Sequence, residues 1–568
     1  MSPHECLSVA FVDSDDTNKT SKLTNHDIQR GLYNEAHPND LVLFLAVAGA
    51  AVTVVALVFP LNFWAFWTLV KPLIPAKILE ANGHYLTTPI GNPSNWVQLT
   101  TNTESWHALD PTLFAELQLI TGFPLNSLVR LPFGIAFITL SLFYFCKQNL
   151  ASYRRAFLLM TILFVFNYNS LFTHYYAQGW YAVSVLIIML GTFNRAISSK
   201  TSDRRPLLLS IVFLGVLPGI YAGAAWVTYL LFFVMVAYGV LVALLHQKSR
   251  GILFHFFGKA WPYLIIVTGA MMVDPLVYQY LPYISKGPTA LLNLRVFSSY
   301  FGNSDKLVVH SSPLYVLAEL IPNLSLVLAG SYLILRDWYR MAFLREAIGK
   351  LDIVLHTLVI SAMLSFLFDI SSTGTLREEE GYLLLLLSVP PLLFKSRKSN
   401  SKSQVRRRDR KVPLMYSITA VWILTLVITA YNPANSIYIM HKTNTTAASY
   451  FASRVGESTF ADAEMEGMIG VFNPMAPISS YEILPVAQAT GGNELPSHAQ
   501  FLYGNSTELS NGLEGIGASI FILTQQDIVT SFVTPALTLK PLPQYPNNST
   551  SINVIYNDGT VWGLELTN

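Results

Sequence analysis

The sequence predicts a polytopic α-helical membrane protein with about eleven transmembrane helices and a C-terminal extracytoplasmic domain that is β-rich or α+β. This fold class follows from the composition, the recurrence of apolar segments and the placement of charge. Of the 568 residues, 52% are hydrophobic and only 12% are charged. So few charged side chains cannot cover a water-soluble protein of this length, and much of the surface must therefore face lipid.

Apolar segments of bilayer-crossing length, roughly 20 residues, recur from Leu41 onward. We predict membrane-spanning helices at 41–63, 131–146, 156–173, 177–194, 206–222, 223–245, 260–279, 313–335, 351–369, 381–395 and 412–431. The fifth contains Pro218 and the tenth contains Pro390 and Pro391, so a re-entrant course stays open for these two. The transmembrane region then extends over 39–431, after a polar tail at 1–38 that is predicted to be disordered and cytoplasmic.

Lys and Arg are concentrated in alternate loops, which sets the orientation. Basic loops lie at 147–155, 195–205, 248–259, 336–350 and 395–411. The positive-inside rule places these loops and the N-terminus in the cytoplasm, and it places 432–568 outside a cell membrane that the chain crosses many times. We interpret the dense run at 395–411 as a topogenic loop against anionic headgroups. No nucleic-acid partner is expected.

The C-terminal segment 432–568 alternates β-branched runs with clusters of Gly, Pro and Asn, which predicts strands. Asn557-Asp558-Gly559 between two such runs predicts a hairpin, because Asp-Gly suits a turn with positive φ. The acceptor pattern Asn-x-Ser/Thr occurs in this segment, which makes it a candidate for glycosylation. The candidate residues are Asn444, Asn505 and Asn548.

Ionisable residues near the predicted membrane cluster on the outer side. The first outer loop, 64–130, is far longer than a helix connection requires and carries Asp110 and Glu116. The others are Asp274, Glu319 and Asp369 at outer helix ends, and Arg377 ahead of the tenth span. Buried ionisable groups mark functional sites, so their placement predicts a polar cavity that opens outward rather than an ion path across the bilayer.

Two stretches resemble a known superfamily. Leu109-Asp110-Pro111-Thr-Leu-Phe-Ala-Glu116, continuing through Ile120-Thr-Gly-Phe-Pro124 to Leu131-Pro132, resembles the first outer loop of archaeal and bacterial membrane glycosyltransferases with the GT-C fold. Arg377-Glu-Glu-Glu-Gly-Tyr382 is similar to their late outer loop. The chain departs from the family in three ways: Asp110 comes long after the first span, the loop has no Asp-x-Asp pair, and the C-terminal segment has no Trp-Trp-Asp motif.

The resemblance implies transfer of a sugar from a polyprenyl-phosphate-linked donor to an extracytoplasmic acceptor, either a protein or a lipid-linked glycan. Asp110 would be the general base, with Glu116 the second candidate carboxylate, and Arg377 would bind the donor phosphate. On a helix the two carboxylates would point about 120° apart, so one would act alone. Six further residues would line the acceptor side or the cavity: His107, His174, Tyr175, Asp274, Glu319 and Asp369.

No set of metal ligands is assigned, and a divalent ion stays open as a cofactor. Each role also has a structural alternative: Asp110 before Pro111 is a natural helix N-cap, Glu116 is a solvated helix residue, and Arg377 balances three glutamates. The alternative function is a non-catalytic, membrane-anchored protein whose outer domain binds a partner in a cell-surface assembly. A secondary transporter is disfavoured because the chain has no inverted repeats.

Overall fold

The protein is represented by a computed structural model. It describes residues 38–58, 76–77, 79, 109–123, 131–150, 153–165, 177–198, 205–220, 222–273, 313–346, 348–370, 378–394, 419–425, 428, 442–454, 456–473, 476–480, 497–529, 532–534, 537–538, 542–543 and 552–567. The predicted tail 1–38, apart from its last residue, and most of the loop 64–130 lie outside these ranges.

The N-terminal two thirds of the described chain is helical. The helices are α1 Pro38–Val58, α2 Leu109–Thr121, α3 Leu131–Asn149, α4 Tyr153–Val165, α5 Ala177–Ser198, α6 Arg205–Ile220, α7 Ala222–Leu245, α8 Gln247–Val273, α9 Pro313–Phe343, α10 Lys350–Ile370 and α11 Glu378–Phe394. Residues 419–425 are also helical. Each predicted span overlaps a described helix, and the proline-containing segments are helical through Pro218, Pro390 and Pro391.

Within the described residues, two helical segments are long and apolar enough to cross a membrane by length and composition, Val227–Leu245 and Ser249–Gly269. Shorter apolar segments lie at Asn39–Val54, Tyr181–Ile197 and Gly381–Phe394. That all eleven segments cross a bilayer stays a prediction.

The surface of the helices is strongly apolar. Large hydrophobic side chains that are exposed on α6 to α9 include Leu208, Leu209, Val212, Phe233, Val240, Leu241, Leu244, Leu245, Phe254, Trp261, Ile265, Leu328, Tyr332 and Leu335. Soluble monomers rarely expose contiguous apolar surface of this extent, whereas hydrocarbon solvates it at no cost.

Close helix packing holds the bundle together. α11 is buried between α9 and α10, with Leu383 and Leu387 inaccessible to solvent, and α9 approaches it at Gly330. A Cβ atom at Gly330 would lie 2.9 Å from Leu385 Cδ2, so a larger residue would have to displace the Leu385 side chain. The tenth predicted segment is therefore a central helix of the bundle.

At the end of the bundle that is predicted to be cytoplasmic, one carboxylate ties three helices together. Asp40, in the first turn of α1, accepts a hydrogen bond from the Tyr153 hydroxyl of α4. Lys147 Nζ of α3 lies 3.2 Å from Asp40 Oδ2, and an Arg154 guanidinium nitrogen lies 3.1 Å from Oδ1. Because the Asp40 side chain is only 3% exposed, these partners offset the cost of burying its charge.

The C-terminal segment folds around a mixed sheet. Its elements are α12 Lys442–Ala452, β1 Thr459–Ala461, α13 Ala463–Phe472, β2 Ile478–Ser480, a 3-10 helix Ser497–Tyr503, α14 Ser506–Gly515, β3 Ile520–Thr524, α15 Gln525–Val529, β4 Phe532–Thr534, β5 Leu537–Thr538, β6 Ile552–Asn557 and β7 Val561–Leu566. The five-stranded sheet has the order β2-β1-β3-β7-β6, and β4 pairs with β5 separately. The neighbours β2, β1 and β3 are parallel, and β3, β7 and β6 are antiparallel.

The predicted hairpin is confirmed. β6 and β7 pair across Asp558-Gly559-Thr560, and Gly559 has the positive φ of 87° that the turn requires. Asp558 Oδ1 accepts hydrogen bonds from Thr560 N, Thr560 Oγ1 and Val561 N at 2.8 to 2.9 Å. Burial raises the pKa of Asp558, but these donors outweigh it and hold the pKa below its usual value.

The hairpin is joined to α12 by aromatic packing. The rings of Tyr450 and Phe451 lie 5.1 and 5.5 Å from the ring of Tyr556. The Phe451 ring lies over Gly563 of β7, where a Cβ atom would come 2.3 Å from Phe451 Cζ. Glycine therefore permits the helix to approach the sheet this closely.

We expect Gly563→Ala to destabilise the C-terminal domain by about 1 to 3 kcal/mol, because the added methyl group displaces Phe451. The measurement is thermal unfolding of the detergent-purified full chain. Gly515→Ala is the matched control, since a Cβ atom there meets nothing within 4 Å. Equal midpoints for the two variants would contradict this account of the packing.

We expect Asp558→Ala to lower stability at pH 7 by about 1 kcal/mol, because a charged acceptor of four hydrogen bonds is lost, three at Oδ1 and one from the Tyr556 hydroxyl at Oδ2. The folded-state pKa of Asp558 is depressed, so its contribution is present above the ordinary pKa of 3.8 and is lost as the pH falls through the lower folded value. The unfolding midpoints of Asp558→Ala and the wild type should therefore converge below pH 4. Glu514→Ala, which removes an exposed carboxylate, should show no such convergence. A difference between the midpoints of Asp558→Ala and the wild type that persists in acid would refute the assignment.

Candidate functional site

The helix that carries both candidate carboxylates is anchored on the bundle. In α2, Phe114 is fully buried, and its ring meets the Tyr181 ring of α5 edge-on at 4.9 Å. Tyr181 also packs against Phe137 of α3 at 5.3 Å, and α2 contacts α6. Phe114 thus inserts into an aromatic socket at Tyr181 of α5 and fixes the position of α2.

The two carboxylate positions differ in their relation to this anchor. Asp110 stands in the first turn of α2, one turn before Phe114, and its side chain lies outside the described residues. Glu116 is exposed. It follows Phe114 by two positions, about 200° around the helix, so it points away from the bundle. Of the two positions, only that of Asp110 shares the bundle-facing side of the helix.

Arg377 lies outside the described residues. The helix that follows it, α11, begins at the next residue, Glu378, and packs against α4, α9 and α10. The backbone just after Arg377 is therefore fixed by a buried helix. The predicted convergence of Arg377 and Asp110 on one cavity stays a prediction.

The remaining candidates are only partly described. His107, His174, Tyr175, Asp274 and Asn548 lie outside the described residues. Glu319 lies in α9 and Asp369 in α10, but their side chains are not described. The predicted cavity lining therefore stays a prediction.

Two glycosylation candidates differ in accessibility. Asn444 is 6% exposed in the first turn of α12. Asn505 is exposed and is the N-cap of α14, where its Oδ1 accepts hydrogen bonds from Thr507 N and Glu508 N at 3.0 Å. The amide nitrogen, which would carry a glycan, is not the atom that caps the helix. In the folded domain, Asn505 therefore fits an acceptor better than Asn444 does.

The first outer loop also contacts the C-terminal domain. Lys77 Nζ donates a 2.6 Å hydrogen bond to the carbonyl oxygen of Val471, in α13, and Ala76 is fully buried. The loop is thus bound at one point to the C-terminal domain and, through Phe114, at another point to the helical bundle. The two contacts are made by separate described parts of the loop, residues 76–77 and α2.

Sequence reasoning missed a buried polar network. Tyr238 of α7 and His356 of α10 are joined by a 2.7 Å hydrogen bond between the Tyr238 hydroxyl and His356 Nδ1. His356 Nε2 lies 3.3 Å from Asp337 Oδ2 of α9, and Arg336 Nε donates to Asp337 Oδ1 at 3.1 Å. His356 thus has a polar partner at both ring nitrogens. Its partners lie 118 and 19 positions away, so no local motif marks them.

Among the residues that the structure describes, no group of three or more His, Cys, Asp or Glu side chains is arranged to hold a metal ion. The carboxylates nearest to the predicted site, Asp110 and Glu116, are separated around α2 as described above. A divalent ion therefore has no assigned ligands.

No protein-family model and no curated protein matches the chain. Among solved structures, the chain is similar to the oligosaccharyltransferase of Archaeoglobus fulgidus, with 12% identity and a TM-score of 0.49 over 85% of this chain and 69% of that one. It is also similar to the arabinofuranosyltransferase AftD from Mycobacteria, with 12% identity and a TM-score of 0.47 over 92% and 40% of the two chains. A third is ArnT from Cupriavidus metallidurans, with 11% identity and a TM-score of 0.41 over 93% and 98%.

All three are glycosyltransferases of the GT-C fold, the superfamily that the sequence resembles.

We expect Phe114→Ala to release α2 from the bundle, because it empties a buried aromatic socket. Limited proteolysis of the membrane-embedded protein should then cut between residues 101 and 130 at least tenfold faster than in the wild type. Leu119→Ala is the control, because Leu119 lies on the same helix but is 73% exposed. This variant should be cleaved at the wild-type rate. Equal rates for both variants would show that Phe114 does not anchor the helix.

Proposed function

We propose that the protein is a membrane glycosyltransferase that moves a sugar from a polyprenyl-phosphate-linked donor to an acceptor outside the cytoplasm. The observation that carries this proposal is the double attachment of the first outer loop. Phe114 fixes it to the helical bundle, and Lys77 fixes it to the C-terminal domain. This double attachment supports the proposal that Asp110 lies where a lipid-borne donor and a water-borne acceptor both arrive.

The same contact supports the proposed topology. The hydrogen bond between Lys77 and Val471 supports placing the first loop and the C-terminal domain on one side of the bilayer, which requires an even number of crossings between them. The predicted spans between these residues start at 131 and end at 431, and they number ten. The extensive apolar surface of α6 to α9 supports the proposal that these helices lie in lipid.

In the proposed reaction, Asp110 takes a proton from an acceptor hydroxyl as that oxygen attacks the anomeric carbon of the sugar. The bond between that carbon and the phosphate oxygen breaks, and the phosphate leaves on the polyprenyl chain. Arg377 would bind this phosphate, because its planar fork of donors matches the charge that develops on the leaving group. The exposure of Glu116 supports a single catalytic carboxylate on α2.

We expect membranes that contain the wild type to transfer radiolabelled sugar from polyprenyl-phosphate donors. Asp110→Asn and Arg377→Ala should each lower the rate at least 100-fold, a typical loss when a general base or a transition-state charge partner is removed. Glu116→Gln is the matched control on the same helix and should retain activity. Detergent gel filtration would establish that all variants are folded.

Two outcomes would contradict the proposal. Full activity in Asp110→Asn would remove the proposed base from the mechanism. An absence of transfer above empty membranes, across a panel of donors, would favour the alternative of a non-catalytic anchored protein whose outer domain binds a partner.

A further inference from the structure

The side of α2 that faces away from the Phe114 anchor is exposed and apolar. Leu119 and Ile120 are 73% and 77% exposed, and they lie about 140° and 120° around the helix from Phe114. Phe123, just beyond the end of the helix, is 54% exposed. We call Leu119, Ile120 and Phe123 the apolar face of α2. Large apolar side chains grouped on the surface of a loop indicate a contact surface.

The polar groups beside the apolar face are satisfied within α2 itself. Gly122, with φ of 70°, ends the helix, and its N–H donates a 2.8 Å hydrogen bond to the carbonyl oxygen of Gln118. The Thr121 hydroxyl donates to the carbonyl oxygen of Leu117 and accepts a 3.2 Å hydrogen bond from Phe123 N. These three polar groups therefore need no water, as contact with hydrocarbon requires.

The aromatic anchor sets the depth of α2 along the bundle. The Phe114 ring meets the Tyr181 ring, and the Tyr181 ring packs against Phe137. Tyr181 lies four residues, about 6 Å, from the start of α5, and Phe137 lies six residues, about 9 Å, from the start of α3. Both residues fall inside the predicted spans 177–194 and 131–146. The anchor thus holds α2 at the depth where headgroups meet acyl chains in the predicted topology.

The exposed side of α2 changes from charged to apolar along the helix. Glu116 is exposed and lies one turn before Ile120 on the same side. Phe123, at the apolar end, is separated by seven residues from Leu131, where α3 begins. This order is expected if the end of α2 nearest to the second span lies in hydrocarbon and Glu116 remains among the headgroups.

We propose that the apolar face of α2 inserts into the outer leaflet of the bilayer, so that its partner is a lipid surface. Phe114 would hold one side of the helix on the bundle, and Leu119, Ile120 and Phe123 would hold the other side among the acyl chains. The helix that carries Asp110 would then be fixed at the membrane surface. The proposal rests on the predicted membrane topology but not on sugar transfer, so the two can fail separately.

The test uses the full chain in phosphatidylcholine vesicles, with a nitroxide label on a single introduced cysteine. The background is Cys6→Ser, and Cys146 is buried and does not react. Electron paramagnetic resonance measures the accessibility of the label to oxygen, which concentrates in hydrocarbon, and to a water-soluble nickel chelate. Every labelled variant retains Phe114, so α2 stays in place, and gel filtration in detergent establishes folding.

We expect the ratio of oxygen to nickel accessibility to exceed unity at Ile120→Cys and at Leu119→Cys. Phe233→Cys, at an exposed position in the predicted span 223–245, is the hydrocarbon reference and should also exceed unity. Glu514→Cys, at an exposed position of the C-terminal domain, is the water reference, and the ratio should be reversed there.

Two results would overturn the proposal. A ratio at Ile120→Cys and Leu119→Cys that equals the ratio at Glu514→Cys would place the apolar face in water. Low accessibility to both reagents would show that protein, such as a second copy of the chain, covers the face instead of lipid. A hydrocarbon-like ratio in a chain that transfers no sugar would refute the proposed function and support the lipid contact.

Discussion

In helices that expose so much apolar surface, every polar group has to find a partner within the protein. Thr139, Thr357 and Ser388 donate to the carbonyl oxygen one turn earlier in their own helices, so their hydroxyls need no neighbour. The larger groups cannot satisfy themselves locally. Asp40 and Asp337 are each bonded to residues from other helices, and the arrangement of the helix ends depends on these bonds.

The two ends of the bundle differ in the contacts that hold them together. At the end predicted to be cytoplasmic, charge pairs such as Asp40 with Lys147 hold α1, α3 and α4 together. At the other end, the described contacts include aromatic packing at Phe114 and the hydrogen bond from Lys77 to Val471 of the C-terminal domain. At the proposed catalytic end the described contacts are those of a docked loop, and at the opposite end they include ion pairs between helices.

The C-terminal domain combines two kinds of sheet. The antiparallel hairpin of β6 and β7 is specified locally by Asp558 and Gly559. The parallel strands β1 and β3 are separated by α13, β2 and α14 and meet only through the tertiary fold. Gly563 takes part in both local and tertiary structure. It lies in strand β7 of the hairpin, and the Phe451 ring of α12 packs where its side chain would be.

The sequence by itself determined the features that depend on neighbouring residues. Apolar runs indicated where the helices lie, Lys and Arg asymmetry indicated an orientation, and Asp558-Gly559 located the hairpin. Only the tertiary structure decided which distant residues meet: Phe114 with Tyr181, Lys77 with Val471, and His356 with Tyr238 and Asp337. A hydrophobic pattern specifies that a face is buried but not what it is buried against, because many helix pairings satisfy the same pattern. Close packing and hydrogen bonding across the chain select one of them.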